Sequence, residues 1–126
     1  MKFPRAARLN TKAEFGRVFA QPAVSRDRNF KVLYRDNGQG IARLGMAVSR
    51  RNCRHASGRN RLKRLVRESF RQHQEQLAKG GGVDIVVMPT DQAAKNNNRS
   101  LTASLAEHWT TVAGSARAGR QEHRKD

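Results

Sequence analysis

The segment SGRNRLKRLVRESFR, residues 57–71, decides the fold and concentrates the charge of this chain. The residues of one helical face recur through it and beyond it at Leu62, Leu65, Val66, Ser69, Phe70, His73 and Leu77. This spacing predicts a long amphipathic helix from Ser57 to about Lys79. Gly80-Gly81-Gly82 is expected to end it.

The opposite face of the predicted helix is basic. At 100° per residue it collects Asn60, Arg61, Lys63, Arg64, Arg67 and Arg71. Arg59 starts a row of cations spaced by four residues, and such like-charge pairs destabilise an isolated helix. Glu68 is the one acid between residues 50 and 71, against nine Lys and Arg. A solvated surface helix is the alternative, but the uncompensated cations favour phosphate binding.

The composition indicates a polyanion as the partner. The 126 residues carry 26 Lys and Arg against 10 Asp and Glu, a formal charge of +16, which favours nucleic acid. This length suits one domain, predicted over residues 1–113, with a basic disordered tail over 114–126 that has little to bury. No apolar run reaches the roughly 18 residues of a membrane span. The basic start of the sequence has no apolar stretch behind it, so we do not expect it to act as a secretory signal. The single Cys53 fits a cytoplasmic protein.

Elements on either side of the long helix follow from local patterns. Thr11 and Glu14 have the spacing of a capping box, which predicts a helix from Lys12 to Ala20. Asn29 to Arg35 alternates as a half-buried strand, and Arg43 to Ser49 is a second strand. The glycine-containing turn over 36–40 suggests that these two strands pair as a hairpin.

The remainder of the chain supplies one more strand and one more helix. Val83 to Met88 is apolar and rich in β-branched residues, as in a central strand. Leu101, Leu105, Trp109 and Val112 form the stripe of a last helix, capped by Asn98 or Ser100.

Residues 57–71 and their flanks resemble the bacterial ribonuclease P protein family, whose hallmark is Arg-Asn-Arg-x-Lys-Arg opening a helix. The match extends to the strand over 43–51, to Glu14-Phe15 and Val18-Phe19 in the first helix, and to the strand over 84–87. It covers roughly Arg8 to Trp109. The resemblance implies an α+β sandwich of order α-β-β-β-α-β-α, with a mostly four-stranded sheet and a left-handed crossover.

The resemblance also implies a function. Ribonuclease P removes the 5′ leader of precursor tRNA, and its catalyst is an RNA with bound Mg²⁺. The protein would then bind this RNA, one to one, and the precursor tRNA, away from any membrane. Residues expected at the catalytic RNA are Ser49, Arg50, Arg59, Asn60, Arg61, Lys63, Arg64 and Arg67, and the basic face adds Arg71.

A second surface implied by the resemblance is a cleft for the leader between the first helix and the sheet. Its matching positions are Phe15, Phe19, Phe30, Val32 and Tyr34, with Tyr34 the expected exposed member. Lys12, Arg17 and Lys31 would contact leader phosphates at its rim. Aromatic rings stack on any unpaired base. Helical spacing by itself favours Phe15 and Phe19 as core residues.

The residues give no sign of a catalytic or metal site in the protein itself. Carboxylates are few and dispersed, and Cys53 with His55 lacks further ligands. A general RNA chaperone associated with ribosomes has the same size and charge, and it is the main alternative function. A DNA-binding regulator is less consistent, because its recognition helix would carry a more mixed set of base-reading side chains.

Overall fold

The structure, a computed structural model, describes residues 7–125 and the side chains of residues 7–114. Its elements, in chain order, are α1 (Lys12–Ala20), β1 (Ala23–Arg26), β2 (Phe30–Asp36), β3 (Ala42–Met46), α2 (Ala56–Ala78), β4 (Val83–Pro89), α3 (Asp91–Lys95) and α4 (Asn98–Lys125). The α+β class and the predicted order are confirmed, and the short α3 is an addition.

The sheet has the order β1-β2-β4-β3, which corrects the predicted hairpin. β4 lies between β2 and β3, antiparallel to the first and parallel to the second. The turn after β2 does contain Gly38 and Gly40 at positive φ, as predicted, but it leads around the end of β4. Because β3 and β4 are parallel, α2 must cross between them on one face of the sheet. The handedness of this crossover stays a prediction.

Side-chain hydrogen bonds cap the first turns of α1 and α4 but not those of α2 and α3. The α1 capping box is confirmed, since Thr11 Oγ1 accepts from the Glu14 N–H at 3.1 Å and Glu14 Oε1 accepts from the Thr11 N–H at 2.9 Å. In α2 the N-cap is His55, so the helix begins at Ala56, one residue before the predicted start at Ser57. Asn97 Oδ1 accepts from the Ser100 N–H at 2.8 Å, so Asn97 replaces the predicted caps of α4.

The end of the chain was expected to be irregular. The backbone over 114–125 instead continues α4, while the side chains beyond Gly114 lie outside the described residues. The division into a domain over 1–113 and a tail over 114–126 stays a prediction.

Both faces of the sheet are covered, one more deeply than the other. The larger core lies between the sheet and helices α2 and α4, where Trp109 packs edge-on against Phe70 with ring centroids 5.9 Å apart. The Trp109 Nε1–H donates to Ser69 Oγ at 2.8 Å, which satisfies a buried polar group. A smaller cluster under α1 contains Leu9, Val18, Leu33 and Val86.

Arg43 joins three elements beneath α1. Its guanidinium donates twice to the Asp84 carboxylate, at 2.7 and 2.8 Å, and once to Glu14 Oε2 at 2.9 Å. Both Arg43 and Asp84 are buried. Hydrogen bonds from the Asn10 and Thr11 N–H groups lower the pKa of Glu14, and Arg43 lowers it further. The charge cluster therefore connects β3, β4 and the first turn of α1.

We expect Arg43→Met to lower the free energy of unfolding by about 3–5 kcal/mol, because it leaves the buried Asp84 carboxylate without its cation. Urea unfolding followed by circular dichroism measures this loss. Arg26→Met, at an exposed position on the same sheet face, is the matched control and should change stability by less than about 0.5 kcal/mol. Equal effects of the two substitutions would contradict the assigned role of Arg43.

Candidate nucleic-acid interface

The outer face of α2 presents cations that the protein itself does not use. Arg64 and Arg67 are exposed and Lys63 is half-buried. Within the described part of the chain, none of the three forms an ion pair or a side-chain hydrogen bond. Asn60 is exposed beside them. A rigid helix thus holds three unpaired positive charges and an amide toward solvent.

Arg61 has a structural role that its position on the helical wheel does not reveal. Its guanidinium donates to Asn98 Oδ1 at 2.8 Å and to the Asn96 carbonyl oxygen at 2.9 Å. These contacts connect α2 to the first residue of α4 and to the segment just before it. Its donors are consequently directed into the protein.

Arg59 and Ser49 organise the loop that precedes α2. Arg59 Nη1 donates to the carbonyl oxygens of Cys53 and Arg54, each at 2.9 Å. Ser49 Oγ accepts from the Arg51 N–H at 3.0 Å, and it lies beyond the end of β3 instead of inside the strand. Arg50 is exposed on this loop.

Arg71 is neutralised by its neighbour one turn earlier. Its guanidinium forms an ion pair with Glu68, with 2.5 Å between Arg71 Nη2 and Glu68 Oε1. The hydrogen bond from Arg71 lowers the pKa of Glu68. The predicted set on α2 therefore separates into engaged residues (Arg59, Arg61 and Arg71) and available ones (Asn60, Lys63, Arg64 and Arg67).

On the other face of the sheet, α1 presents two aromatic rings to solvent. Phe15 and Phe19 stack with ring centroids 6.5 Å apart. Phe15 is half-buried, whereas Phe19 is 45% exposed. Helical spacing favours both as core; the structure buries Val18 fully, packs Phe15 against the same small cluster, and leaves Phe19 outside it.

Three of the predicted cleft residues lie on the wrong face of the sheet. Phe30, Val32 and Tyr34 belong to the large core under α2 and α4, and each is at most 5% exposed. Tyr34, the expected exposed member, is therefore buried. Side chains alternate along a strand, so only Lys31, Leu33 and Arg35 of β2 face α1. The predicted alternation of β2 is confirmed, with Leu33 as the exception: it is buried beneath α1, while Lys31 is half-buried and Arg35 is exposed.

The strand register identifies groove residues that sequence analysis missed. Arg26 pairs with Lys31 and Lys31 with Met88, so these three share the face on which α1 lies. Met88 and Ala47 are half-buried and pack at the edge of the small cluster. Arg26, Lys31 and Met88 become neighbours only through pairing between three strands, and the alternation within any one strand does not predict that pairing.

Of the predicted rim cations, Lys12 shares the side of α1 that carries Phe15 and Phe19, whereas Arg17, two residues from each ring, lies on the opposite side of the helix. Their contact with leader phosphates stays a prediction. Lys12 and Arg17 are exposed on α1, and Lys31 is half-buried on the facing strand. Arg35 Nη1 donates to the Arg17 carbonyl oxygen at 3.0 Å and so connects the strand to the end of the helix.

Three carboxylates besides Glu68 act in structural contacts. Asp84 and Glu14 hold Arg43, and Asp27 accepts from Ser104 Oγ and from the backbone N–H groups of Asn29 and Phe30. Burial raises the pKa of Asp27, but these hydrogen bonds outweigh it and the pKa is lowered. Over residues 7–114 no three His, Cys, Asp or Glu side chains group as a metal site would require. No described helix has the length and apolarity needed to cross a membrane.

Comparisons with known proteins agree with this architecture. Residues 3–113 match the sequence profile of the family described as Ribonuclease P. The chain is 41% identical over 110 residues to the ribonuclease P protein component of Thioalkalivibrio sulfidiphilus, covering 87% of this chain and 89% of that one. It is 46% identical over 107 residues to the component of Methylococcus capsulatus, covering 85% and 81%.

Solved structures give the same result for the fold. The RNase P protein of Staphylococcus aureus superposes with a TM-score of 0.75 at 29% identity, over 86% of this chain and 96% of that one. The RNase P protein of Thermotoga maritima gives a TM-score of 0.71 at 31% identity, over 83% and 96%.

The separation of engaged from available cations predicts unequal effects on stability. Arg61→Ala should lower the free energy of unfolding by about 1.5–3 kcal/mol, the range for hydrogen bonds to a charged group. Arg64→Ala, three positions along the same helix, should change it by less than about 0.5 kcal/mol. Urea unfolding of the two variants tests this, and equal losses would show that the Arg61 contacts contribute nothing.

Proposed function

The chain belongs to the ribonuclease P protein family and is a subunit of that tRNA-processing endoribonuclease; on this premise we propose how its two surfaces divide the work. The outer face of α2 binds the catalytic RNA, and the groove beside α1 binds the 5′ leader of precursor tRNA. The endonuclease activity belongs to the RNA, and the protein supplies binding and orientation.

One observation carries the assignment of α2: Lys63, Arg64 and Arg67 project from a rigid helix without protein partners. Keeping like charges together costs folding energy, and a polyanion removes that cost. Guanidinium groups bond two phosphate oxygens at once, which suits backbone binding that does not depend on sequence. Asn60 adds a donor and an acceptor at the same surface. Arg50 extends it onto the loop. Arg59, Arg61 and Ser49 hold the surrounding backbone in place, and Arg71 is paired with Glu68 at the surface.

The groove beside α1 has the chemistry of a site for single-stranded RNA. Phe19 and Phe15 offer ring faces for stacking, Lys12 lies on the same side of α1, and Lys31 lies on the facing strand. Arg17, two residues from each ring, lies on the other side of the helix and is left out of this surface. We add Arg26 and Met88 to this surface, because strand register places them beside Lys31. Leaders of different sequence would be accepted, since stacking does not distinguish bases strongly.

Mg²⁺ is bound by the catalytic RNA and not by the protein. Among residues 7–114 no three His, Cys, Asp or Glu side chains group as a metal site would require, and the carboxylates nearest the two proposed surfaces, Glu14 and Glu68, are already paired with Arg43 and Arg71. The residues do not fit a resident Mg²⁺ site, and no step of the reaction is assigned to one in the protein. We place the complex in the cytoplasm, with one protein bound to each RNA.

Reconstitution tests the function directly. Added to a bacterial ribonuclease P RNA at low Mg²⁺, the protein should accelerate leader removal from precursor tRNA. A general RNA chaperone, the alternative function, would leave the cleavage rate unchanged at equal RNA folding.

Replacing Lys63, Arg64 and Arg67 together with Ala should weaken binding of the catalytic RNA and flatten its salt dependence. If each contacts a phosphate, the slope of log affinity against log salt should fall by about 2–3, at roughly 0.7–0.9 per contact. Filter binding over a salt series measures the slope. Circular dichroism should show an intact fold, because all three side chains lack protein partners.

The control removes three exposed cations elsewhere, by changing Lys79, Lys95 and Arg99 to Ala. Both variants lose the same net charge, so a bulk electrostatic effect predicts equal slopes. A smaller change for the control supports a placed site on α2, and equal changes would refute it.

Phe19→Ala should weaken binding of precursor tRNA more than binding of mature tRNA, because only the precursor carries a leader. Loss of one stacked base corresponds to about 1–3 kcal/mol. Tyr34→Ala is the contrast, because this ring is buried. Its removal should lower the free energy of unfolding of the protein and should weaken binding of both tRNAs by the same factor. Equal weakening by Phe19→Ala for both tRNAs would exclude the groove as the leader site.

A further inference from the structure

An open cavity of about 190 Å³ lies at the outer edge of β3, where the two faces of the sheet meet. Segment 8–10 and Phe15 line it from the side of α1, and Lys63 and Arg67 line it from α2. Leu44, Gly45 and Met46 of β3 form its floor. We propose that this cavity holds a single unpaired nucleotide of RNA, with its base against Phe15 and its phosphate on Lys63 and Arg67.

The apolar wall is shaped for a flat ring. Phe15 lies so close over Gly45 that a Cβ at that position would be 2.6 Å from Phe15 Cζ and 2.8 Å from Cε1. Glycine therefore lets the ring lie against the strand. The half-buried Phe15 and Met46 then leave apolar surface open to the cavity. Aromatic and thioether groups of this kind suit a base face.

The cationic wall is matched to a phosphate group. Lys63 and Arg67 are one helical turn apart, so their side chains project from the same side of α2. Neither has an ion-pair partner among the described residues. An apolar ligand would leave both charges unpaired, whereas a nucleotide satisfies the ring and the cations together.

The floor adds hydrogen-bonding groups that no strand covers. The Leu44 carbonyl oxygen points outward and accepts from the Leu9 N–H at 3.0 Å, while the Ala47 N–H points inward to Val87. By alternation, the N–H and C=O of Met46 point outward like those of Leu44. Beyond the bridge between Arg8 and Leu44, no described strand pairs with this edge. Both groups therefore face the side from which a base edge would approach.

This inference rests on the proposed function and deepens it, because the cavity lies between the surface assigned to the catalytic RNA and the groove assigned to the leader. The nucleotide comes from either RNA, and both sources have the same chemistry. The experiment therefore measures each RNA separately.

A double-mutant cycle tests whether one ligand touches both walls. Phe15→Leu and Arg67→Gln should each weaken RNA binding. The fold-loss of affinity in the double variant should be at least about fivefold smaller than the product of the two single fold-losses. Two control cycles each exchange one cavity residue for a residue outside the cavity. The first combines Phe19→Leu with Arg67→Gln, and the second combines Phe15→Leu with Arg64→Gln. In both, the fold-loss of affinity of the double variant should equal the product of the single losses, because Phe19 and Arg64 do not line the cavity.

The cycle is measured by binding of the catalytic RNA alone, of precursor tRNA and of mature tRNA. Coupling with the catalytic RNA assigns the nucleotide to that RNA, and coupling with precursor but not mature tRNA assigns it to the leader. Losses that multiply for all three RNAs overturn the proposal.

Two further measurements keep the outcome interpretable. Thermal unfolding of every variant identifies loss of fold, and Phe15→Met, which keeps apolar contact with Gly45, replaces Phe15→Leu if that variant unfolds. Stimulation of cleavage by the unsubstituted protein reports on the proposed function independently. The cavity proposal therefore fails alone if stimulation is normal and coupling is absent.

Discussion

The buried contact of Arg43 with Asp84 and Glu14 is the constraint on which the rest of the structure depends. A buried ion pair is favourable only when every donor and acceptor is satisfied, and here Asn37 Nδ2 also donates to Asp84 Oδ1 at 2.7 Å. The cluster fixes the register of the parallel pair β3–β4, because Arg43 and Asp84 are direct partners across it. Through Glu14 it also fixes where α1 starts, and hence where Phe15 and Phe19 lie.

The parallel pairing of β3 and β4 has a second consequence for the interface. A parallel connection requires a crossing element, and α2 crosses on the face opposite α1. The sheet therefore separates an aromatic groove from a cationic helix. Among the described residues both surfaces reach the outer edge of β3, where Phe15, Lys63 and Arg67 line one cavity.

Local signals predicted the helices well and the sheet poorly. The capping box at Thr11 and Glu14 fixed α1 to the residue, because all its hydrogen bonds lie within one turn. The order of the strands depends on β4, which enters between β2 and β3 from more than 40 residues away. A glycine turn between two strand patterns favours a hairpin locally, and no local pattern reports the inserted strand.

The residues of the candidate site were also predicted only in part, and the wrong predictions have a related cause. Alternation in β2 separates Phe30, Val32 and Tyr34 from Lys31, Leu33 and Arg35, but it does not say which set meets α1. Both faces are covered, so the more apolar set lies under the two longer helices and the charged set borders the groove. On α2 the helical wheel gave the basic face correctly, yet Arg61 on that face contacts Asn96 and Asn98, which lie 35 and 37 residues away. A cation is available to RNA only if the fold leaves it unpaired, and the fold decides that through contacts that are distant in sequence.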